Sequence, residues 1–396
     1  MLSLRLSKAA SGLPISAAQL ATTIGMGRPI SLKALLTATG SRTRRPRILV
    51  LRYQWRKAKP PTPQAPIWPD SFLDEVLTRP NGWSLRDYWY RVSQGLIDID
   101  IVVEPWRTLE QDQTAEEASD RGKVIQMCKD QAAVDKVSLD GFDHIIGFLY
   151  PGQNNCGASG GNALFDQSPF SLEFFAHEMG HVLGYSHAFG TNGDYVYQDP
   201  WCVMGFSGVQ DYAVPSMHTG AKVNNKDRFW KQGRRLSTAA LFRYDGSTEF
   251  GSTAGVVRVD ATAGPQTISL VAASESSLYD PTLVVVDSDF FQVTVEYRIP
   301  THDDSGIRSK EAVRNAVIVH SIGRRDVLRW QSESKPVWLE AEIAADPALD
   351  PAAEPKPDAW IEHGWDMDKK PHHIHVELLT VNGPRATLRI SRADRP

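Results

Sequence analysis

The sequence predicts a mixed strand-and-helix unit followed by an all-β sandwich. Three observations predict it. Strand-like runs alternate with helical spacing between residues 47 and 185. Beyond about residue 240, short β-rich runs recur between Gly, Asp and Ser. One helical stretch of the first unit also concentrates His177, Glu178 and His181, with His187 just beyond it.

Composition sets the outer bounds. A chain of 396 residues fits two or three domains. Hydrophobic residues at 41% and charged residues at 23% are ordinary for a globular protein. No stretch approaches the roughly 18 apolar residues of a spanning helix, so no membrane span is expected. The aromatics (11 Trp, 11 Tyr and 14 Phe) are enough to build cores and exclude a wholly disordered chain. Three cysteines exclude a disulfide framework.

The net charge of −4 hides an asymmetry. Residues 1–69 hold 12 basic side chains and no acid, leaving 31 basic against 47 acidic residues in the rest. The 1–45 segment is therefore a basic N-terminal arm, with a short helix near Leu32–Leu36. Its Arg, Ser and Ala content is also that of a transit peptide, but no apolar run long enough for a secretory signal interrupts it. Nucleic acid is not an expected partner, because the acidic remainder would repel phosphates.

Arg47 to Arg52 reads as the first strand, and a Pro-rich loop runs from Lys59 to Pro69. Ser84 is placed to cap a helix through Leu85, Tyr88 and Val92, stopped by Gly95. Leu96–Val103 is a second strand, residues 114–137 a helix begun by Thr114, Glu116 and Glu117, and Phe142–Tyr150 a third strand. Asn154–Gly161 reads as a Gly-rich loop, and Phe170–Tyr185 as a helix with Ser171 near its start and Gly184 near its end. Later strands are expected at Val256–Val259, Thr267–Val271, Leu283–Val286, Phe291–Tyr297, Ala316–His320, Ile374–Leu379 and Ala386–Ile390. Asp346–Pro357 is a Pro/Ala/acid loop between them.

The chemistry lies in His177-Glu178-Met179-Gly180-His181-Val182-Leu183-Gly184-Tyr185-Ser186-His187. Histidines at i and i+4 of a helix put both rings on one face, spaced to share one Zn²⁺. Glu178 adjoins the first of them and can reach a zinc-held water as general base without ligating the metal. Gly184 lets the helix stop and the chain turn back, so His187 becomes a third nitrogen ligand. Three neutral ligands leave a fourth position for water, the mark of a catalytic rather than a structural site. Zinc there lowers the water pKa towards ~7.

Seventeen residues after His187, Met204 stands in the turn-rich Asp199-Pro200-Trp201-Cys202-Val203-Met204-Gly205. Alone it would be core filler. With the histidine motif it resembles the Met-turn of the metzincin metallopeptidases, in which a methionine floors the zinc site. The order of strands and helices before the motif is similar to the metzincin amino-terminal subdomain. The 199–205 stretch and Val295-Glu296-Tyr297-Arg298 look most similar to gametolysin-like and immune-inhibitor-A-like peptidases.

The resemblance implies an α+β catalytic domain over residues 46–235, a twisted mixed sheet with long helices. A β-sandwich accessory domain over 240–396 would follow it. It implies a zinc-dependent endopeptidase with one zinc per chain on His177, His181 and His187, Glu178 as catalytic base and Met204 as structural floor. It also implies a protein or peptide substrate and secretion, although no clear signal peptide is present and a cytoplasmic or organellar site stays open.

Departures from the family pattern are visible. Phe206 stands where many metzincins carry a tyrosine, and nothing in the sequence assigns that role to Tyr212. Ala188 follows the third histidine where several subfamilies have a diagnostic residue. No cysteine precedes Cys128 in the sequence, so a cysteine-switch propeptide is not expected.

Other candidates are weaker. Cys156 and Cys202 flank the active-site helix and would be either a disulfide or buried thiols, while Cys128 is a core residue. His372, His373 and His375 mark a strand face, solvated or holding a second metal. Asp303-Asp304 is an acidic turn, solvated or binding calcium. Glu173 suits a first helical turn. Two other functions share these features: a metzincin-like binding protein without turnover, and a zinc hydrolase of a non-peptide bond.

Overall fold

The computed structural model describes residues 44–57, 70–80, 84–113, 119–152, 155–166, 172–190, 199–205, 235–245, 255–260, 263–276, 280–287, 291–301, 304, 315–323, 337–344, 358–365 and 371–393. The arm up to residue 43, the 59–69 loop, the helix start at Thr114, Ser171, Phe206, Tyr212, Asp303 and the whole 346–357 loop lie outside the described residues. The chain is mixed α/β, with several sheets and few helices.

The first sheet grows from β1 (Arg47–Trp55), whose Ile48-Leu49-Val50-Leu51 run is apolar on both faces, as a strand covered from both sides must be. Its order is β2 (Asp100–Val103), β1, β4 (His144–Tyr150), β6 (Asn162–Asp166), β5 (Gly157–Ser159), with β3 (Arg107–Leu109) also on β1. The strands are parallel except β5, which turns back along β6 at the edge.

Alternation divides the side chains. Ile48, Val50, Ile146, Phe148 and Phe165 face a core made with α1 (Asp70–Leu77), α2 (Leu85–Val92) and α4 (Leu172–Val182). Leu49, Leu51, Ile145, Leu149 and Leu164 face α3 (Arg121–Val134) through Val124, Ile125, Cys128 and Ala132.

Ser84 caps α2 as its sequence implies, its Oγ accepting from Asp87 N at 3.2 Å, and Gly95 follows the helix with φ +81. The segment read as a Gly-rich loop contains β5. Gly160 and Gly161, at φ +55 and +73, form the two-residue turn that folds β5 onto β6.

Two further sheets share one core. The first runs β7 (Ala188–Phe189), β13 (Val337–Ala344), β12 (Ala316–Ile322), β11 (Gln292–Arg298), β10 (Leu283–Asp287), β8 (Val256–Val259). The second runs β14 (Asp358–Trp365), β15 (Pro371–Asn382), β16 (Arg385–Ala393), β9 (Gln266–Val271). Val284, Val295, Tyr297, Val317 and Val319 of one meet Ile374, Val376, Leu388 and Ile390 of the other.

The opposite face of the first of these sheets is also covered. Ala239 and Phe242 of α5 (Thr238–Asp245) pack on Leu283, Val285, Ile322 and Val337, and Trp201 packs on Ala316, Ile318 and Leu339. β7 begins one residue after His187 and pairs in parallel with β13 (Ala188 with Val337, Phe189 with Trp338). The histidine segment and the C-terminal sheet are thus hydrogen-bonded together.

The acidic-turn expectation needs correction. Asp304 is fully buried, its carboxylate engaging the Arg298 guanidinium through Nε at 2.8 Å and through Nη2. Arg298 also meets Glu296 at 3.4 Å. His320 lies between Asp199 (3.0 Å) and Glu296 (3.8 Å). Arg235, also buried, donates its backbone N–H to Asp304 at 3.2 Å. Arg298 and His320 thus lie among the carboxylates of Asp199, Glu296 and Asp304.

Candidate active site

The helix α4 is buried along most of its length, including Phe175, Ala176, His177, Met179 and Gly180. Phe175 stacks on Phe165 of β6 with ring centroids 4.1 Å apart, which fixes the helix against the sheet. Gly184 follows at φ +94, Tyr185 N–H returns to Gly180 O at 2.9 Å, and the chain reverses. His187 is brought back onto the face that carries His177 and His181.

The three rings converge through one nitrogen each. His181 Nε2 lies 3.2 Å from His177 Nε2 and 3.0 Å from His187 Nε2. All three candidate ligand atoms fall within 4.8 Å of one another, the only such His, Cys, Asp or Glu group among the described residues. Two nitrogens bound at ~2.0–2.1 Å to one tetrahedral ion lie about 3.3 Å apart, so the spacing suits a single zinc-sized cation.

The opposite ring nitrogens settle the tautomers. His177 Nδ1 is 2.7 Å from Val203 O, and His181 Nδ1 is 2.9 Å from Tyr185 O. A carbonyl only accepts, so both Nδ1 atoms carry the proton and both Nε2 lone pairs point inward. Burial and the neighbouring rings push the histidine pKa values down, to about 4 for His177 and about 3 for His187. Burial and the Arg121 charge bring His181 to about 4. All three rings are neutral at pH 7, and three imidazole nitrogens are a donor set that would fit a borderline-soft cation such as zinc.

Met204 lies beneath. It sits in a 3-10 turn, Val203–Gly205, fully buried. A Cβ on Gly180 would clash with Met204 Sδ and lie 3.4 Å from the Trp89 ring. The methionine thus packs directly on the helix between the two histidine turns. The turn is tied down by Asp199, whose Oδ1 accepts from Trp201 N at 2.8 Å and whose Oδ2 meets His320 of β12 at 3.0 Å.

Glu178 points to the sheet edge. Its Oε2 accepts the Ala158 N–H of β5 at 2.7 Å. Burial raises its pKa, partly offset by that N–H and by Arg121. Arg121, the first residue of α3, donates to Asn155 O at 3.2 Å, Cys156 O at 2.6 Å and Ala158 O at 2.9 Å.

The structure thus brings His177, His181 and His187 together, sets Met204 against the same helix, and holds Glu178 on Ala158 of β5. Sequence reasoning missed Arg121, Ala158 and His320 and gave Asp199 no role beyond its place in the turn. No local signal marks Arg121 or His320, because their partners are distant in the chain. The Gly160-Gly161 pair was a signal for the β5 hairpin and hence for Ala158.

The remaining candidates resolve individually. Cys128, Cys156 and Cys202 are all buried free thiols, so the disulfide alternative is not realised. Burial pushes Cys202 up to about 11 and Cys128 to about 12, leaving both unreactive at neutral pH. His375 stacks on Trp360 at 4.0 Å and meets Asp358 at 3.0 Å, while His373 is buried beside them. Glu173 is buried in the first turn of α4. No helix among the described residues is long and apolar enough to cross a membrane.

No protein-family model matches the chain, and no curated protein matches it.

Proposed function

We propose that the chain is a zinc-dependent endopeptidase of the metzincin kind, most similar to the gametolysin-like and immune-inhibitor-A-like groups. The observation that carries this reading is the convergence of three inward-facing imidazole Nε2 atoms on a helix floored by Met204, with Glu178 next to the first ligand. The mixed sheet with its antiparallel edge strand beside that helix supports the same reading.

His177, His181 and His187 would hold the zinc, which when bound would supply Lewis-acid chemistry toward a peptide carbonyl and water. The chain does the rest. Val203 O and Tyr185 O keep His177 and His181 in the ligating tautomer. Ala158 N–H holds Glu178 Oε2 and leaves Oε1 for proton transfer. Glu178 takes a proton from the attacking water and returns it to the leaving amine nitrogen, so the proton count closes over one peptide bond. Its burial favours the proton-holding state that this shuttle passes through. A protein or peptide is the substrate, and β5 offers an edge strand beside the catalytic carboxylate for its backbone.

The test is cleavage of casein and a peptide library by zinc-loaded wild type and Glu178→Ala. Cleavage by wild type should fall by at least about 10²-fold in the variant, the scale of a lost general base. Equal rates in both would overturn the assignment of Glu178. No cleavage by a wild type that holds zinc would favour the binding-protein alternative.

A further inference from the structure

We infer that Arg121 is a positioning residue for Glu178, holding the edge strand that aims the carboxylate. The inference rests on the peptidase reading for its consequence, but not for its geometry.

The geometry is specific. Three carbonyls within four residues, Asn155, Cys156 and Ala158, turn toward one guanidinium at 3.2, 2.6 and 2.9 Å. The planar fork of arginine suits several acceptors at once, and charge-assisted bonds of this kind are the strong ones. Gly157 lies beneath it at φ +142, and a Cβ there would come within 2.7 Å of Arg121 Cζ, Nη1 and Nη2. The strand is therefore shaped to receive the arginine, and only glycine fits at its centre.

The same strand makes the contact that matters. Ala158 accepts Arg121 with its carbonyl and donates its N–H to Glu178 Oε2 at 2.7 Å. β5 is three residues long and, among the described strands, pairs only with β6. A short edge strand held on one side would fray, and the Ala158 N–H would wander with it. Arg121 holds the other side. It comes from α3, which packs on the opposite face of the sheet from the Glu178 helix. The catalytic carboxylate is thereby referenced to both faces of the sheet.

The experiment uses the full chain as wild type, Arg121→Met and Arg121→Lys, with two readouts. The first is amide hydrogen exchange of the 155–161 segment in metal-free protein, which does not depend on activity. The second is kcat, KM and zinc content of the loaded protein.

In Arg121→Met the 157–159 amides should exchange about tenfold faster or more, as a freed edge strand does. Its kcat should fall about 10- to 100-fold, with KM and zinc content at wild-type values. Lysine supplies charge without the fork and should recover part of both. Unchanged exchange in Arg121→Met overturns the inference whatever the activity. Loss of zinc, KM and kcat together, unrelieved by lysine, also overturns it, since it would make Arg121 a folding residue only. Faster exchange in Arg121→Met with no cleavage by any of the proteins would leave the Arg121 contact standing and sink the peptidase reading instead.

Discussion

At position 180 of α4, any side chain larger than hydrogen would meet Met204. Met204 Sδ occupies the space a Cβ would need, and the Trp89 ring would lie 3.4 Å from it. Gly180→Ala should therefore push the helix off its floor and cost about 1–3 kcal/mol, the usual cost of overpacking. Chemical denaturation should show that loss, and zinc affinity should fall with it because His181 is the next residue. An unchanged midpoint would mean that Met204 swings away freely. The histidines were legible because helix spacing and a stop glycine are local signals. Asp199 stands before the Met204 turn in the sequence, but its role is not legible there. That role depends on His320, 121 residues further along.

Elements were legible where pattern and environment agreed. The run Ile48–Leu51 reads as a strand because both of its faces are covered. The helix of Asp70–Leu77 went unread although Leu73, Val76 and Leu77 have helical spacing and are all buried. β13 went unread for a physical reason. Its Leu-Glu-Ala-Glu is helix-favouring in isolation, and pairing with β12 and β7 overrides that preference. β14 follows a Pro/Ala/acid stretch and carries Asp358, Glu362 and Gly364, so only its pairing with β15 marks it as a strand. β5 is the instructive case, because glycine content was read as loop where paired glycines at positive φ were a turn.

On the scale of the whole molecule, the C-terminal sheet carries part of the candidate site. Expected strands in 240–396 were largely legible, but their role was not. β12 supplies His320 to the loop that carries Met204, and β7 links the residues after His187 to β13. Charge balance in this seam gives a pH prediction. Burial opposes a charge on His320, but Asp199, and then Glu296, outweigh burial and the Arg298 repulsion and raise its pKa. The stabilisation from the raised pKa is full below the unfolded value of about 6.5 and is lost as pH rises through the folded value. The melting temperature should therefore carry a downward slope above about pH 6.5 that His320→Gln lacks. Equal slopes in both proteins would show His320 neutral in the fold.

The central claim is that His177, His181 and His187 form one zinc site. The most direct measurement is zinc per chain after dialysis into metal-free buffer, for wild type, Glu178→Ala and His187→Ala, each checked for folding by circular dichroism. About one zinc in wild type and in Glu178→Ala, with loss in a folded His187→Ala, is the predicted result. A wild type that holds no zinc, or a His187→Ala variant that keeps it, would contradict the account.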